Sequence, residues 1–282
     1  MLAVFFFHCA RFFDPVDWHL KNAEQSFIAL LFIGLLDLWI MPLFFLLSGA
    51  GSWYALKSRT GGRYLFERVK RLLIPLYTVG VFILLPPQFY FEVVTHEGYT
   101  GTFWELVPRY IGSIKLSFED PLFIVPFFGH LWFLQYLFLI SLVTLPLLLY
   151  LKSEPGQRLI ERLTAWCDRR GGIFLFLIPL AIVRICLRGF FPGEHTWADL
   201  FYYAVFFVIG YLMPADKRFT EGFKRHGWVC LALGIAGFGG EIFIIGLGYN
   251  YTGGESFSWI YVLFQIVMSI ASWSWVVFIL SL

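Results

Sequence analysis

The chain has 282 residues, of which 59% are hydrophobic and only 14% are charged, whereas an ordinary globular chain has about 25% charged residues. The formal net charge is +2, and the basic residues stand in short stretches between apolar runs, which argues against nucleic acid as a partner. These proportions exclude an ordinary soluble domain and indicate a polytopic membrane protein.

Eight apolar segments follow one another along the chain. The first, at residues 1–13, covers only about 20 Å of a hydrocarbon core about 30 Å thick. Seven others have the length of a membrane-spanning helix and lie at 27–56, 72–91, 131–151, 172–190, 198–213, 227–248 and 258–282. The sequence therefore predicts an all-α fold, namely a polytopic transmembrane helical bundle of about eight spans.

The loops between these segments predict the orientation. The loop at 57–71 is strongly basic, and basic loops stay on the cytoplasmic side of bacterial inner membranes. With this loop inside, the loops at 152–171 and 214–226 are also inside, and the three contain six, five and four of the 21 Lys and Arg residues. We therefore expect a cytoplasmic N-terminus in a multi-pass protein of the bacterial inner membrane.

The connection at 92–130 is long for an outer loop. Apolar residues recur in it at near-helical spacing between Gly101 and Pro121, namely Trp104, Val107, Tyr110, Ile111 and Ile114. This pattern predicts an interfacial helix on the outer leaflet. We expect one transmembrane domain over 1–282, incomplete at both ends, because the first span is short and no anchor residue follows the last. The four cysteines show no metal-binding spacing, and no metal site is predicted.

Several polar side chains fall inside the predicted spans, between the outer interface and mid-membrane. Ionisable side chains at such depths are costly and often functional. A shared depth is what a buried catalytic chamber or an outward-open cavity requires, although some of these groups can instead be helix-packing pairs, such as Asp37 or Glu241 with Arg184. The residues are His8, Asp37, Gln135, Arg184, Glu241 and Gln265.

Two short stretches add candidates near the ends of the spans. Arg11, Asp14, Asp17 and His19 follow His8 at the outer surface, where they either serve a site or form an ordinary solvated loop. At the inner end, Arg68 and Arg71 are three residues apart and so share one face of a helix. Such a pair can clamp phosphates of a nucleotide-like ligand, although positive-inside topology alone also places charge there.

Three stretches resemble the membrane acyltransferase-3 family, in the branch that contains glucan biosynthesis succinyltransferases. They are the residues around His8, PLFFLLSGAGSWYALKSRTGGRYLFERVKRLLIP at 42–75, and GHLWFLQYLFLISL at 129–142. The resemblance implies transfer of an acyl group from cytosolic acyl-CoA, as donor substrate and not as a permanent cofactor, to a hydroxyl of an extracytoplasmic carbohydrate. The family places an arginine eleven residues before its catalytic histidine, a position that precedes Met1 here.

The resemblance also implies roles for individual residues. His8 is the expected general base, because an imidazole exchanges a proton near neutral pH, with Asp14 or Asp37 orienting the ring or stabilising its charge. Ser48, Arg68 and Arg71 are expected to bind acyl-CoA. The residues expected to contact the substrates are Arg11, His19, His130, Trp132, Gln135, Arg184 and Glu241.

A transporter or flippase for a sugar or lipid is the main alternative. In that interpretation Arg184 and Glu241 act as gate or coupling residues. Inverted repeats or helices broken at mid-membrane are typical of transporters, and the Gly-rich stretch at 232–254 keeps this alternative open. A non-catalytic membrane scaffold is a third interpretation.

Overall fold

The structure is a computed structural model that describes residues 2–18, 20–116, 121–125, 131–249 and 254–282. Most of these residues are helical. A short antiparallel pair joins β1 (Lys115–Leu116) to β2 (Ile124–Val125), with Lys115 opposite Val125. The prediction of an all-α fold is confirmed.

Six helical stretches in the described ranges are long and apolar enough to cross a membrane: Phe27–Ser58, Gly61–Glu97, Trp132–Lys152, Trp197–Ala215, Lys217–Gly246 and Trp259–Ser281. A shorter apolar stretch occupies Gly172–Leu187, and α1 (Leu2–Ala10) has nine residues. Every predicted segment therefore corresponds to a helix, which confirms the polytopic helical bundle. The side of the membrane on which the N-terminus lies stays a prediction.

The chain forms two compact units. The first unit comprises residues 1–37 and 65–139, and the second comprises 38–64 and 140–282. The first contains α1, α2 (Phe27–Asp37), the end of α4 (Gly61–Arg68), α5 (Leu85–Glu97), α6 (Phe103–Ser113), both strands and the start of α7 (Trp132–Lys152). The single domain over 1–282 stays a prediction.

The helical stretch from Gly61 to Glu97 is not a regular α-helix. Between α4 and α5 it contains two π-helical segments, Val69–Leu73 and Leu76–Leu84. Pro75 and Pro86 lie at or beside the ends of these segments and supply no backbone N–H to the ordinary hydrogen-bond pattern. Wide turns of this kind occur often at functional sites.

Helix α6 is the helix predicted between Gly101 and Pro121. Thr102 and Glu105 form a capping box that fixes its start. One face carries Tyr110, which is buried and donates its hydroxyl to the Val81 carbonyl at 2.6 Å. The opposite face carries Trp104, which is 78% exposed. The helix is thus amphipathic within its unit, whereas its place on the outer leaflet stays a prediction.

The second unit contains α3 (Ile40–Ser58), α8 (Glu154–Cys167), α9 (Leu177–Leu187), α10 (Trp197–Leu212), α11 (Lys217–Gly246) and α12 (Trp259–Ser281), with 3₁₀ turns at Gly172–Phe176 and Met213–Ala215. A polar residue that accepts a backbone hydrogen bond precedes most of these helices, as is usual at an N-cap. These capping residues are Ser153, Thr196, Asp216 and Ser258.

Glycines allow the helices of the second unit to pack closely. Helix α3 lies against α10, and α11 lies against α12. Within α11, Gly234 faces Trp275 and Gly237 faces Ala271 of α12, a use of small residues that is common between membrane helices. The Gly-rich stretch that left the transporter alternative open is therefore a continuous helix as far as Gly246, and Gly234, Gly237 and Gly240 in it face α12.

Candidate functional site

His8 lies in the last turn of α1 and is half-buried. The next polar residues along the chain form a compact turn around it. The ring centroids of His8 and Trp18 are 6.2 Å apart, and the guanidinium carbon of Arg11 lies 4.5 Å from the centroid of the Trp18 ring. Trp18 therefore lies between the His8 imidazole and the Arg11 guanidinium. A cation over the face of a tryptophan ring is a favourable contact.

Asp14 is the centre of an ion network in this turn. Its side chain is fully buried and accepts hydrogen bonds from Arg11 Nη1 at 2.8 Å and Lys21 Nζ at 2.6 Å. The backbone N–H of Val16 donates to the same carboxylate at 2.8 Å. The segment after α1 is thus an ordered, charge-paired turn at Arg11 and Asp14, whereas Asp17 is exposed as a solvated loop residue would be.

Replacing Asp14 by Asn is expected to destabilise the protein by about 3 kcal/mol, because it removes the buried anion that two half-buried cations share. The measurement is thermal or denaturant unfolding of the purified protein in detergent. Asp17→Asn is the matched control, since the Asp17 side chain is 82% exposed, and its change should stay within about 0.5 kcal/mol. Equal stability of the two variants would contradict the network.

Asp37 is the last residue of α2 and is exposed. Helix geometry is interrupted after it, and α3 begins at Ile40 within the same apolar stretch. The second proposed carboxylate therefore stands at a helix break inside a candidate span, where backbone carbonyls lack their intrahelical partners.

The basic pair occupies the point where the helix widens. Arg68 ends α4 and is half-buried, whereas Arg71 lies in the π-helical turn at Val69–Leu73 and its side chain is 71% exposed. Arg71 Nε is 3.4 Å from Glu67 Oε2. Because the turn is wider than α-helical, the two arginines do not have the simple same-face relation that their spacing predicts. Ser48 is half-buried on α3, in the second unit.

Gln135 is almost fully buried in the first unit, and both ends of its amide are bonded. Its Nε2 donates to the Pro121 carbonyl at 2.7 Å, and its Oε1 accepts from the Tyr77 hydroxyl at 2.7 Å. Trp132 is half-buried one turn earlier and packs edge-on against Tyr136. Gln135 thus fastens two segments to α7, and its role as a substrate contact stays a prediction. His19 and His130 lie outside the described residues.

A cavity of about 260 Å³ in the first unit is lined by one aromatic ring, one histidine, one valine and three carboxylates. His96 Nε2 is 3.7 Å from Asp17 Oδ1 across it. Arg109 donates to both oxygens of Glu97 at 2.8 and 2.7 Å, which holds that carboxylate in place. The lining residues are Asp17, Phe89, Glu92, Val93, His96 and Glu97.

Arg184 and Glu241 both lie in the second unit. Arg184 Nε donates to Gln265 Oε1 at 3.0 Å, and its guanidinium carbon is 5.0 Å from the centroid of the Tyr202 ring. Glu241 Oε2 is buried and has no hydrogen-bond partner among the residues described. These two residues do not form an ion pair within 4.0 Å of each other, so the packing pair considered from the sequence is not formed.

A separate ion pair joins the end of α9 to the first turn of α10, across the loop between them. Arg188 Nη2 is 2.8 Å from Asp199 Oδ1, and Arg188 Nη1 donates to Asp199 Oδ2 at 3.1 Å. His195 lies in the same loop, with φ of 57°, and its burial lowers the pKa of the imidazole to about 4. The Asp199 charge raises this pKa and the Arg188 charge lowers it, so the two partly cancel.

This pKa predicts how stability depends on pH. Between about pH 4 and pH 6.5 the unfolded chain binds a proton at His195 that the folded chain does not, so stability rises with pH in that window. We expect a lower unfolding midpoint at pH 5 than at pH 7. His195→Asn should reduce this difference, since Asn tolerates a positive φ and does not titrate. An unchanged difference in the variant would contradict the prediction.

Sequence reasoning did not find the cavity or the Arg188–Asp199 pair. Glu92 and His96 are four residues apart on one helix, which places them on the same face. This spacing was the only feature of the sequence that could have indicated the cavity. Arg188 and Asp199 are joined across a loop, and no periodic pattern marks such a pair.

Comparison with known proteins identifies a family. The family model described as "Acyltransferase domain" matches residues 1–280. Proteins named "Glucans biosynthesis protein C" from Salmonella paratyphi A and Salmonella agona strain SL483 are each 23% identical to this chain over 227 residues. The alignments cover 76% of this chain and 56% of those proteins, so the chain spans about half the length of the curated relatives it matches. The search of solved structures found no significant match.

The match to the family model extends over almost the whole chain. It includes His8 in α1, the arginines Arg68 and Arg71, and Arg184 and Glu241 of the second unit. The resemblance drawn from the three sequence stretches is therefore confirmed. This chain belongs to the acyltransferase domain family.

Proposed function

We propose that the protein is an integral-membrane O-acyltransferase of the bacterial inner membrane, which transfers an acyl group from cytosolic acyl-CoA to a hydroxyl of an extracytoplasmic carbohydrate. His8 is the general base. Family membership supports the acyl-transfer chemistry, and the glucan-related names of the relatives support a carbohydrate acceptor.

One observation on the first unit supports this role of His8. Consecutive residues connect the imidazole to the cavity, because Trp18 faces the His8 ring and Asp17 lines the cavity wall. Carboxylates accept hydrogen bonds from hydroxyl groups, and an aromatic ring such as that of Phe89 covers the apolar face of a sugar. The cavity therefore suits a polyhydroxylated acceptor close to the base.

The proposed reaction is a single acyl transfer with general-base assistance. A ring nitrogen of His8 takes the proton of the acceptor hydroxyl while the hydroxyl oxygen attacks the thioester carbonyl carbon. The carbon–sulfur bond breaks, the CoA thiolate leaves, and the imidazolium returns the proton to the sulfur. Asp37 or the Asp14 network stabilises the imidazolium, in the latter case by holding Arg11 and Trp18 in position around the ring.

The donor is proposed to bind at the basic pair. Arg71 is largely exposed, and its contact with Glu67 is a surface ion pair, which contributes little and can be exchanged for a phosphate contact. Arg68, at the end of α4, supplies a second guanidinium. The acyl-CoA contact expected of Ser48, in the second unit, stays a prediction. The proposed substrate contacts of the first unit are Arg11, Trp132 and Gln135. The roles expected of Arg184 and Glu241 in the second unit, and of His19 and His130 outside the described residues, stay predictions.

The test uses membranes that contain the protein, incubated with acyl-CoA labelled either in the acyl group or in the CoA moiety, together with a glucan acceptor. We expect acyl label on the glucan and release of one free thiol for each ester formed. Membranes without the protein provide the background. Absence of both products with a range of acyl-CoAs would rule out the proposal.

A transporter remains the second candidate, because one observation favours it. The apolar stretch Phe27–Ser58 is broken after Asp37, and broken helices are typical of transporter binding sites. The double-label experiment separates the two functions. A transporter moves its ligand without cleaving it, so no free thiol would appear and the labelled parts would stay together.

A further inference from the structure

Helix α8 lies between α7, a candidate span, and the next apolar stretch of the chain. Close backbone packing fixes it at both ends. A Cβ on Gly156 would lie 2.1 Å from the Tyr150 carbonyl oxygen, and a Cβ on Gly172 would lie 1.9 Å from the Trp166 carbonyl oxygen. The chain therefore turns sharply at each end of α8, and a helix held so closely between two membrane segments lies at the bilayer surface.

Two faces of α8 have evident surroundings. The first packs against α11 and the 3₁₀ turn at Gly172–Phe176. Its buried residues recur every three or four positions and are Gly156, Ile160, Thr164 and Cys167. The second face is exposed and consists of Glu154, Arg158, Glu161 and Ala165. Arg158 Nη2 is 3.9 Å from Glu154 Oε2, and such alternation of charge is typical of a face in water.

The third face of α8 combines apolar and basic side chains. It consists of Leu159, Arg162 and Trp166, which share one side of the helix because they are three and four residues apart. Leu159 is 38% exposed and Trp166 is 55% exposed. Arg162 lies between them, is exposed, and forms no ion pair with any residue that the structure describes. The guanidinium carbon of Arg169, just after the helix, is 4.9 Å from the centroid of the Trp166 ring.

The charge of this third face is positive. Of the nearby carboxylates, Glu154 and Glu161 belong to the face in water. Asp168 is engaged elsewhere, since its Oδ1 is 3.2 Å from Arg225 Nη2. The third face therefore presents two guanidinium groups together with an indole ring and a leucine, and no carboxylate among the described residues shares it.

This composition fits the surface of a bilayer that contains anionic lipid. Leucine and tryptophan side chains of a surface helix enter the boundary between headgroups and acyl chains, and an indole ring is favourable at headgroup depth. Arginine side chains reach from the same helix to the phosphates, which they can bind through two parallel hydrogen bonds. The three faces of α8 thus match three surroundings, namely protein, water and membrane.

We propose that the third face, extended by Arg169, binds an anionic phospholipid at the bilayer surface. The guanidinium groups of Arg162 and Arg169 contact the lipid phosphate, whereas Leu159 and Trp166 lie beside the upper parts of the acyl chains. The occupant is a lipid and not a free phosphate ion, because half of the face is apolar. The proposal concerns the second unit alone and does not depend on acyl transfer.

The test is thermal unfolding of the purified full chain in detergent micelles that contain increasing mole fractions of phosphatidylglycerol. Phosphatidylcholine with the same acyl chains is the zwitterionic comparison, and glycerol phosphate at matched ionic strength supplies the headgroup without the chains. A ligand that binds the folded state raises the unfolding midpoint with concentration. We expect the largest rise with phosphatidylglycerol and no comparable rise with glycerol phosphate.

Matched variants on α8 assign the effect to the third face. Arg162→Gln should weaken the apparent phosphatidylglycerol affinity about fivefold, the usual contribution of one arginine near an anionic membrane surface. Arg158→Gln is the control, because Arg158 is an exposed arginine of the same helix on the face in water, and it should leave the affinity unchanged. Neither replacement should change the midpoint without lipid, since both side chains are exposed.

Trp166→Ala tests the apolar part of the face. It should weaken the binding of phosphatidylglycerol, measured against the variant's own midpoint without lipid, because the ring no longer enters the bilayer boundary. The proposal is overturned if phosphatidylglycerol and phosphatidylcholine raise the midpoint of the native protein equally, or if glycerol phosphate matches the lipid. Full phosphatidylglycerol affinity in Arg162→Gln, or an equal loss in Arg158→Gln, would overturn it as well.

Discussion

Replacing His8 by Ala is expected to lower the rate of acyl transfer by about 10²- to 10⁴-fold, the usual contribution of general-base catalysis. The protein should nevertheless remain folded and in the membrane. None of the residues of α1, Leu2–Ala10, is buried, and His8 itself is only half-buried, so loss of the ring removes little packing. The measurements are the rate of label transfer to glucan and the unfolding midpoint of the same preparation.

Cys9→Ala is the control for this experiment. Cys9 is the next residue of the same helix and is exposed, so its replacement changes α1 equally little without touching the imidazole. We expect native transfer rates in the control and a severe loss in His8→Ala at similar stability. Near-native turnover in His8→Ala would remove the proposed mechanism, and an equal loss in both variants would point to α1 packing instead of a base.

Much of the fold could be predicted from the sequence, because its main signals are local. Apolar runs of about 20 residues mark spanning helices whatever surrounds them. The segments at 131–151, 198–213 and 258–282 accordingly match Trp132–Lys152, Trp197–Ala215 and Trp259–Ser281 to within a few residues. Helix α6 was equally predictable, since Thr102 and Glu105 show the capping pattern ahead of an amphipathic stretch.

The candidate site was less predictable, because its features depend on contacts between distant residues. Asp14 lies in a polar stretch that is typical of a solvent-exposed loop, yet its side chain is buried and paired with Arg11 and Lys21. The widened helix at Val69–Leu73 changes the geometry of the arginine pair, although the sequence there shows ordinary helical spacing. Gln135 resembled a substrate ligand by its depth, but its amide is bonded at both ends within the first unit.

The Ser48-Gly49-Ala50-Gly51 stretch is part of the sequence that resembles the family, and its second residue also has a role in helix packing. At Gly49 the backbone of α3 meets the backbone of α10, and a Cβ there would lie 1.9 Å from the Phe207 carbonyl oxygen and 3.0 Å from the Tyr211 nitrogen. At Gly51, a Cβ would meet no atom within 4 Å.

Gly49→Ala is therefore expected to destabilise the second unit by about 3 kcal/mol or more, because two backbones must separate and side chains cannot relieve the clash by changing rotamer. Gly51→Ala is the matched control two residues away on the same helix, and Ala there should be neutral or slightly stabilising, since Ala favours helix over Gly. Thermal unfolding in detergent and the monodispersity of each variant measure the difference. Because the clash involves the main chain of α10, no single substitution on α10 should restore the stability of Gly49→Ala. Equal midpoints for the two variants would mean that α3 and α10 do not approach each other at Gly49.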